Sequence, residues 1–328
     1  MQAWRIGTHP GNISGMSSTP WHDPAAPDPF SVWHGVHARL ARLLRHPADP
    51  GFATELDALT DVILKTVEAA PEASLFEMIY GEEIAGYAVA HSLQTAFVTA
   101  LVAAALGWSP RERQIVVQAS LAMNIAMLDL QDALVRQPMP PTLKQRQEID
   151  SHAERGRAML QAAGLADADL LHTVAHHHVT PGGHALPPDR RGLSPLACLV
   201  HYADVYLARL SPRATRAALA INVAARELQI SAGGDANPYV TAIVREMGIY
   251  PPGTFVKLRN GDTAIVLRRG PTADTPVVGS LLRADGTPYL MTQALPTTES
   301  DHKVVAALPR GHVMLTLNRR RLYDQAES

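Results

Sequence analysis

From Tyr87 to Pro110 the chain carries no Asp, Glu, Lys or Arg. A run of that length can cross a bilayer as a helix, so it forces a choice between a membrane span and a buried core helix. The run contains His91, Ser92, Gln94, Thr95 and Thr99, and much of its apolar content is alanine. A second uncharged run, Gln114 to Met127, follows after a short charged turn. Polar side chains spread through an alanine-rich run suit a packed protein interior better than lipid. Both runs are therefore read as core helices of a mainly α protein.

The rest of the chain can supply such a core. It has 328 residues, 46% hydrophobic and 18% charged, enough for one large domain and a smaller one. A formal net charge of −2 gives no electrostatic case for nucleic acid or a membrane surface as partner. The single cysteine, Cys198, lies in the apolar stretch Leu193–Val200 and can form no internal disulfide, which fits a reducing cytoplasm. Residues 1–30 show no charged segment followed by an apolar one, so no signal peptide is expected.

Residues 1–29 are rich in Pro, Gly, Ser and Asp without an apolar period, and read as a disordered arm. Helical periodicity then appears through Val32, Val36, Leu40 and Leu43, and again from Phe52 to Val67, giving an N-terminal helical module over 30–83. It covers the core or serves as an interaction surface, including one for a second copy, although no heptad run argues for a coiled coil. Further helices are expected near 84–106, 110–135, 142–163, 166–178, 193–209 and 212–229, with one more from Asn237-Pro238 to Gly248. Gly107 suits a helix C-terminus and Thr142 an N-cap, while Thr180-Pro181-Gly182-Gly183 stops a helix. After Tyr250-Pro251-Pro252-Gly253 the pattern alternates. Phe255 to Leu258, the hairpin signal Asn260-Gly261 and Ala264 to Leu267 begin a small β module over 251–328. Val277 to Leu282, Tyr289 to Met291 and Val304 to Leu308 continue it before a C-terminal tail.

The chemistry lies between His91 and Asp204. His91, His152, His176, His177 and Asp204 fall on separate helix-like runs or at their ends. Histidines closed by an aspartate on successive helices are how a helical bundle builds an inward-facing metal site. A set of this kind can hold one zinc, iron or manganese ion, or persist as hydrogen-bonded groups in a polar core.

These residues resemble the HD-GYP branch of the HD phosphohydrolase superfamily. The likeness runs over roughly 84–230, from His91-Ser92 and Leu106-Gly107 through His152 and His176-His177 to Ala203-Asp204-Val205-Tyr206. Ser211-Pro212-Arg213-Ala214-Thr215-Arg216 looks like the family's arginine-bearing loop. The resemblance implies that Arg213 and Arg216 reach a phosphate ligand. It also implies an HD-type bundle over 84–250 and a bacterial signalling role. Active members hydrolyse cyclic di-GMP at a two- or three-metal centre.

The departures matter as much. Met123 and Asn124 stand where the family's histidine-aspartate pair would fall, Met127 where a lysine would, Tyr87 for a glutamate, and His178 for another. Pro181 to Leu186, with His184, lacks the glycine-tyrosine-proline motif. Asn124 has the shape of aspartate without its charge, and Met123 is a soft ligand unsuited to manganese or iron. A multi-metal hydrolase is therefore not expected. The leading expectation is a catalytically inactive protein that binds a cyclic dinucleotide such as cyclic di-GMP, another nucleotide, or a signalling partner protein. The alternative is a phosphodiesterase or phosphohydrolase working through a reduced, single-metal site.

Overall fold

The computed structural model describes residues 29–81, 86–179, 194–232 and 237–309, together with 313, 315, 317–319 and 322. The proposed arm, the Pro181–Leu186 stretch with His184, and most of the C-terminal tail lie outside the described residues.

Helices α1 (Pro29–Arg45), α2 (Phe52–Ala69) and α3 (Pro71–Tyr80) precede α4 (Tyr87–Ala105) and α5 (Pro110–Ala122). The charge-free run Tyr87–Pro110 thus supplies the central helix. α4 is long and apolar enough to cross a membrane, yet most of it is buried inside the bundle. It ends where Gly107 takes φ +71, and the Trp108 amide reaches back to the Ala103 carbonyl at 3.0 Å. That left-handed residue is the C-terminal signal read from sequence. α1 and α2 bury Trp33, Leu40, Leu56 and Ile63 in the same cluster as Leu93, Val98 and Leu121. Trp33 meets Phe97 of α4 at 4.8 Å between ring centroids.

The single helix expected over 110–135 is instead broken. α5 stops at Ala122, a 3₁₀ turn spans Ile125–Met127, and α6 runs over Leu128–Arg136. Asn124 and Met127 leave helical geometry, with φ −105° and −140°. Asparagine favours such breaks because its side chain competes for backbone hydrogen bonds. α7 (Leu143–Ala162), α8 (Ala168–His176) and α9 (Pro195–Leu210) follow near their expected positions. A capping box of Thr142 and Gln145 starts α7. The helix expected over 212–229 begins only at Ile221, as α10 (Ile221–Ser231). Ser211 precedes Pro212 and is held extended, at ψ 133°, which prevents continuation from α9. α11 (Pro238–Met247) ends at Gly248, φ +74.

Five antiparallel strands follow, in the order β4-β3-β2-β1-β5: β1 (Phe255–Leu258), β2 (Thr263–Arg268), β3 (Val277–Leu282), β4 (Ala294–Pro296) and β5 (Val304–Leu308). The β1–β2 connection is a three-residue loop, not the two-residue turn expected from Asn260-Gly261. Leu258 pairs with Asp262, and Gly261 takes φ +91. Tyr289–Met291 does not form the expected strand. Pro288 makes one isolated bridge to Leu282, and β4 begins later. Pro288 lacks an amide hydrogen, and Leu290 is fully exposed.

The sheet packs on α3, which the periodicity reading did not anticipate. Ala73, Phe76 and Tyr80 join Phe255, Ile265, Leu267 and Leu281 in one cluster. At the junction Gly253 has φ +88, and a Cβ there would lie 2.8 Å from the Phe76 carbonyl oxygen. Only glycine permits both the turn and this approach. Arg269 completes the clamp, donating to Glu72 of α3 at 2.7 Å and to Glu246 of α11 at 3.1 Å.

Candidate metal centre

Four helices deliver the centre. α4 carries His91, α7 carries His152, the end of α8 carries His177 and His178, and α9 carries His201 and Asp204. His91, His152, His177, His201 and Asp204 are all buried, while His178 is exposed at the rim.

His91 Nε2 lies 2.6 Å from Asp204 Oδ1. Burial alone would raise the Asp204 carboxyl, but the His91 hydrogen bond and charge outweigh it and hold the group well below the usual carboxylate range. An ionised carboxylate only accepts, so His91 Nε2 carries the proton. His91 Nδ1 is buried without a hydrogen-bond partner. Tyr87 stacks on the His91 ring at 5.4 Å and 18°.

His152 and His177 meet face to edge, with their Nε2 atoms 3.2 Å apart. Their other nitrogens point at backbone carbonyls: His152 Nδ1 at Ile149 (2.5 Å) and His177 Nδ1 at Val174 (2.7 Å). A carbonyl can only accept, so both Nδ1 atoms carry the hydrogen. In the neutral rings both Nε2 atoms then present bare lone pairs to each other. Burial keeps the rings neutral. It lowers His177 to about 3, with His178 adding repulsion and Asp204 opposing, and it lowers His152 as well. Two converging lone pairs on neutral imidazoles can be bridged by a metal cation, as they can by a shared proton or a water. His178 supplies a third nitrogen, and the ligating atoms of His152, His177 and His178 all lie within 4.8 Å of one another. His201 Nδ1 points at the His177 carbonyl at 2.8 Å and fixes the end of α8 against α9.

The residues singled out in the sequence are thus divided. His152 and His177 converge, His91 pairs with Asp204, and the Asp204 charge is felt at His152, His177 and His201. His176 turns elsewhere: its Nδ1 meets the His172 carbonyl at 2.8 Å and its ring stacks on His172 at 4.1 Å. His178, which stands where the resembled family has a glutamate, is exposed and joins the three-nitrogen cluster from the rim. His201 was not singled out as a site residue; its place one turn before Asp204 was the available signal.

Met123 and Asn124 sit at the break between α5 and the 3₁₀ turn and are buried. The Met123 carbonyl lies beside Gly156, one turn beyond His152, where an added Cβ would stand 3.7 Å away. Asn124 Oδ1 is buried without a partner. Arg213 and Arg216 do not lie on a helix. They close a tight turn, with the Arg213 amide 2.8 Å from the Arg216 carbonyl. The Arg216 guanidinium donates to the Ala208 carbonyl at 2.8 Å. Arg213 lies on the Tyr87 side of the centre. Burial pushes the Tyr87 phenol up, and the Arg213 charge opposes it.

The donor set fits one metal ion. Three imidazoles, two of them with tautomers fixed by backbone carbonyls, suit zinc or another borderline cation. Two close dications need an anionic bridge; among the described residues of the centre the carboxylate is Asp204, whose Oδ1 is paired with His91, and Asn124 is uncharged.

Comparison with known proteins bears on the helical bundle that carries these residues. Residues 88–209, which span α4 to α9, match the HD domain family. No curated protein sequence matches the chain. Among solved structures, the chain is similar to Bd1817, described as an HDG"Y"P protein from Bdellovibrio bacteriovorus. The TM-score is 0.55 and the identity 15%, over 68% of this chain and 74% of that one. At that identity the likeness is one of fold.

Proposed function

We propose, from the match of residues 88–209 to the HD domain family, that the chain is a phosphohydrolase-related signalling protein that binds a nucleotide without hydrolysing it. One observation carries this reading. The buried turn that meets α7 holds Met123 and Asn124, so among the described residues it offers no carboxylate to bridge two metal ions. The ligand would be a cyclic dinucleotide such as cyclic di-GMP, or another phosphate-bearing nucleotide, and Arg213 at the rim would meet a phosphate oxygen. Arg216 already donates to Ala208, so it shapes the turn that presents Arg213.

The residues fit one metal ion, held by His152, His177 and His178. Bound there, a dication would supply positive charge for a phosphate. The protein's own groups do the rest: Ile149 and Val174 fix the tautomers, His201 holds the end of α8, and Asp204 keeps His91 in place.

A second reading, a single-metal phosphodiesterase, is favoured by the same three imidazoles. Calorimetry and product analysis with cyclic di-GMP separate the two. The expected result is binding with the nucleotide recovered intact, weakened at least tenfold in Arg213→Ala. Release of linear dinucleotide that disappears in His152→Ala would overturn it. Cyclic di-GMP that neither binds nor reacts would also sink the proposal for this ligand.

A further inference from the structure

A cavity of about 410 Å³ lies between the helical bundle and the sheet, apart from the histidines. Its volume falls within the range of small-molecule sites, and such sites favour the junction of two structural units. Met78 and Ile79 of α3, Leu207 and Leu210 of α9, and Phe255 of β1 make the walls largely apolar. Among the described residues no ionisable side chain lines it. Its polar groups are Gln94, Ser211 and Thr254. Thr254 is buried, and its hydroxyl has no hydrogen-bond partner. A buried hydroxyl left unpaired is costly, so such groups are ordinarily paired by protein, by an ordered water or by a bound molecule.

Among the described residues a phosphate or carboxylate ligand would meet no counter-charge there. We propose that the cavity binds a small neutral amphiphile: an aliphatic or aromatic body with one hydroxyl or carbonyl group. Its walls continue the helices of the buried ion pair. Gln94 stands three residues after His91 on α4, and Leu207 three after Asp204 on α9, so each pair shares a helix face. Occupancy is therefore transmitted to the His91–Asp204 contact, which makes the cavity a regulatory site for the centre above. The binding itself does not rest on the proposed nucleotide function.

The test titrates the full-length protein with the neutral fluorophore N-phenyl-1-naphthylamine, then displaces it with 1-decanol. One probe per chain is expected. Ala218→Trp on the helical side and Ala307→Trp on the sheet side should each weaken it at least tenfold. Leu290→Ser, on an exposed loop, should leave it unchanged. Thr254→Val, nearly the same shape, should weaken decanol at least threefold and keeps the test open if a tryptophan variant fails to fold. The downfield imidazole proton of His91, followed by NMR, should shift as decanol binds. No probe binding, binding indifferent to both tryptophans, or binding lost in Leu290→Ser would overturn the site. Binding with that proton unmoved would overturn the coupling. Nucleotide calorimetry reports separately on the centre, so the two failures are distinguishable.

Discussion

Met123 and Asn124 stand where the resembled family has a histidine and an aspartate, so the buried turn that touches α7 at Gly156, one turn beyond His152, offers neither an imidazole nor a negative charge. The Met123→His/Asn124→Asp double variant should therefore gain a second bound manganese or iron per chain, read by elemental analysis after dialysis. An unchanged stoichiometry would mean that the lost pair is not what limits the site. Cys198 offers an independent check on burial. Desolvation pushes its thiol up from 9.0 to about 11. An unfolded chain loses that proton first, so stability is intact below about pH 9 and falls as pH rises toward 11. The full effect is about 2–3 kcal/mol. Denaturant midpoints across that range should drop, and Cys198→Ala should flatten part of the slope. Native protein at pH 8 should also resist alkylation until it is unfolded.

Helices read most clearly from sequence where charge is absent or a cap is present. The uncharged run over α4, the Gly107 terminus and the Thr142 cap were all legible because each is a local property. The break at Asn124 was not, since the apolar period continues through it and only the fit against α7 calls for it. His176 shows the same limit. Neighbouring residues at a helix end point about 100° apart, so His176 and His177 could not both face His152. Spacing identified the pair but not which member turns inward. α3 escaped the reading because its two apolar faces serve different partners and give no single stripe. Thr142→Ala should remove the capping box and cost about 1 kcal/mol in thermal or denaturant unfolding. Metal affinity should stay within a factor of two, because His152 lies more than two turns from that cap. A large loss of metal would show that α7 is positioned from its start and not by its packing on α8.

At the scale of the molecule, two arginines join what the order of the chain keeps apart. Arg269 of the sheet region contacts Glu72 and Glu246, and Arg319 pairs with the buried Glu77. Arg269→Ala leaves two partly buried carboxylates facing each other, at a cost of about 1–3 kcal/mol after allowing for their partial exposure. Amide exchange should rise in β2 and the end of α11 and remain slow in α4. Equal acceleration throughout would mean that the sheet and bundle unfold as one unit.

Helix α3 gives Leu75 and Met78 to the bundle and Ala73, Phe76 and Tyr80 to the sheet. It belongs to both, which restricts how such a protein can be shortened or recombined. A chain ending before β1 would present two aromatic rings to water and become adhesive. A lineage that discarded the sheet would have to rewrite α3 in the same step, or acquire a new partner to cover it.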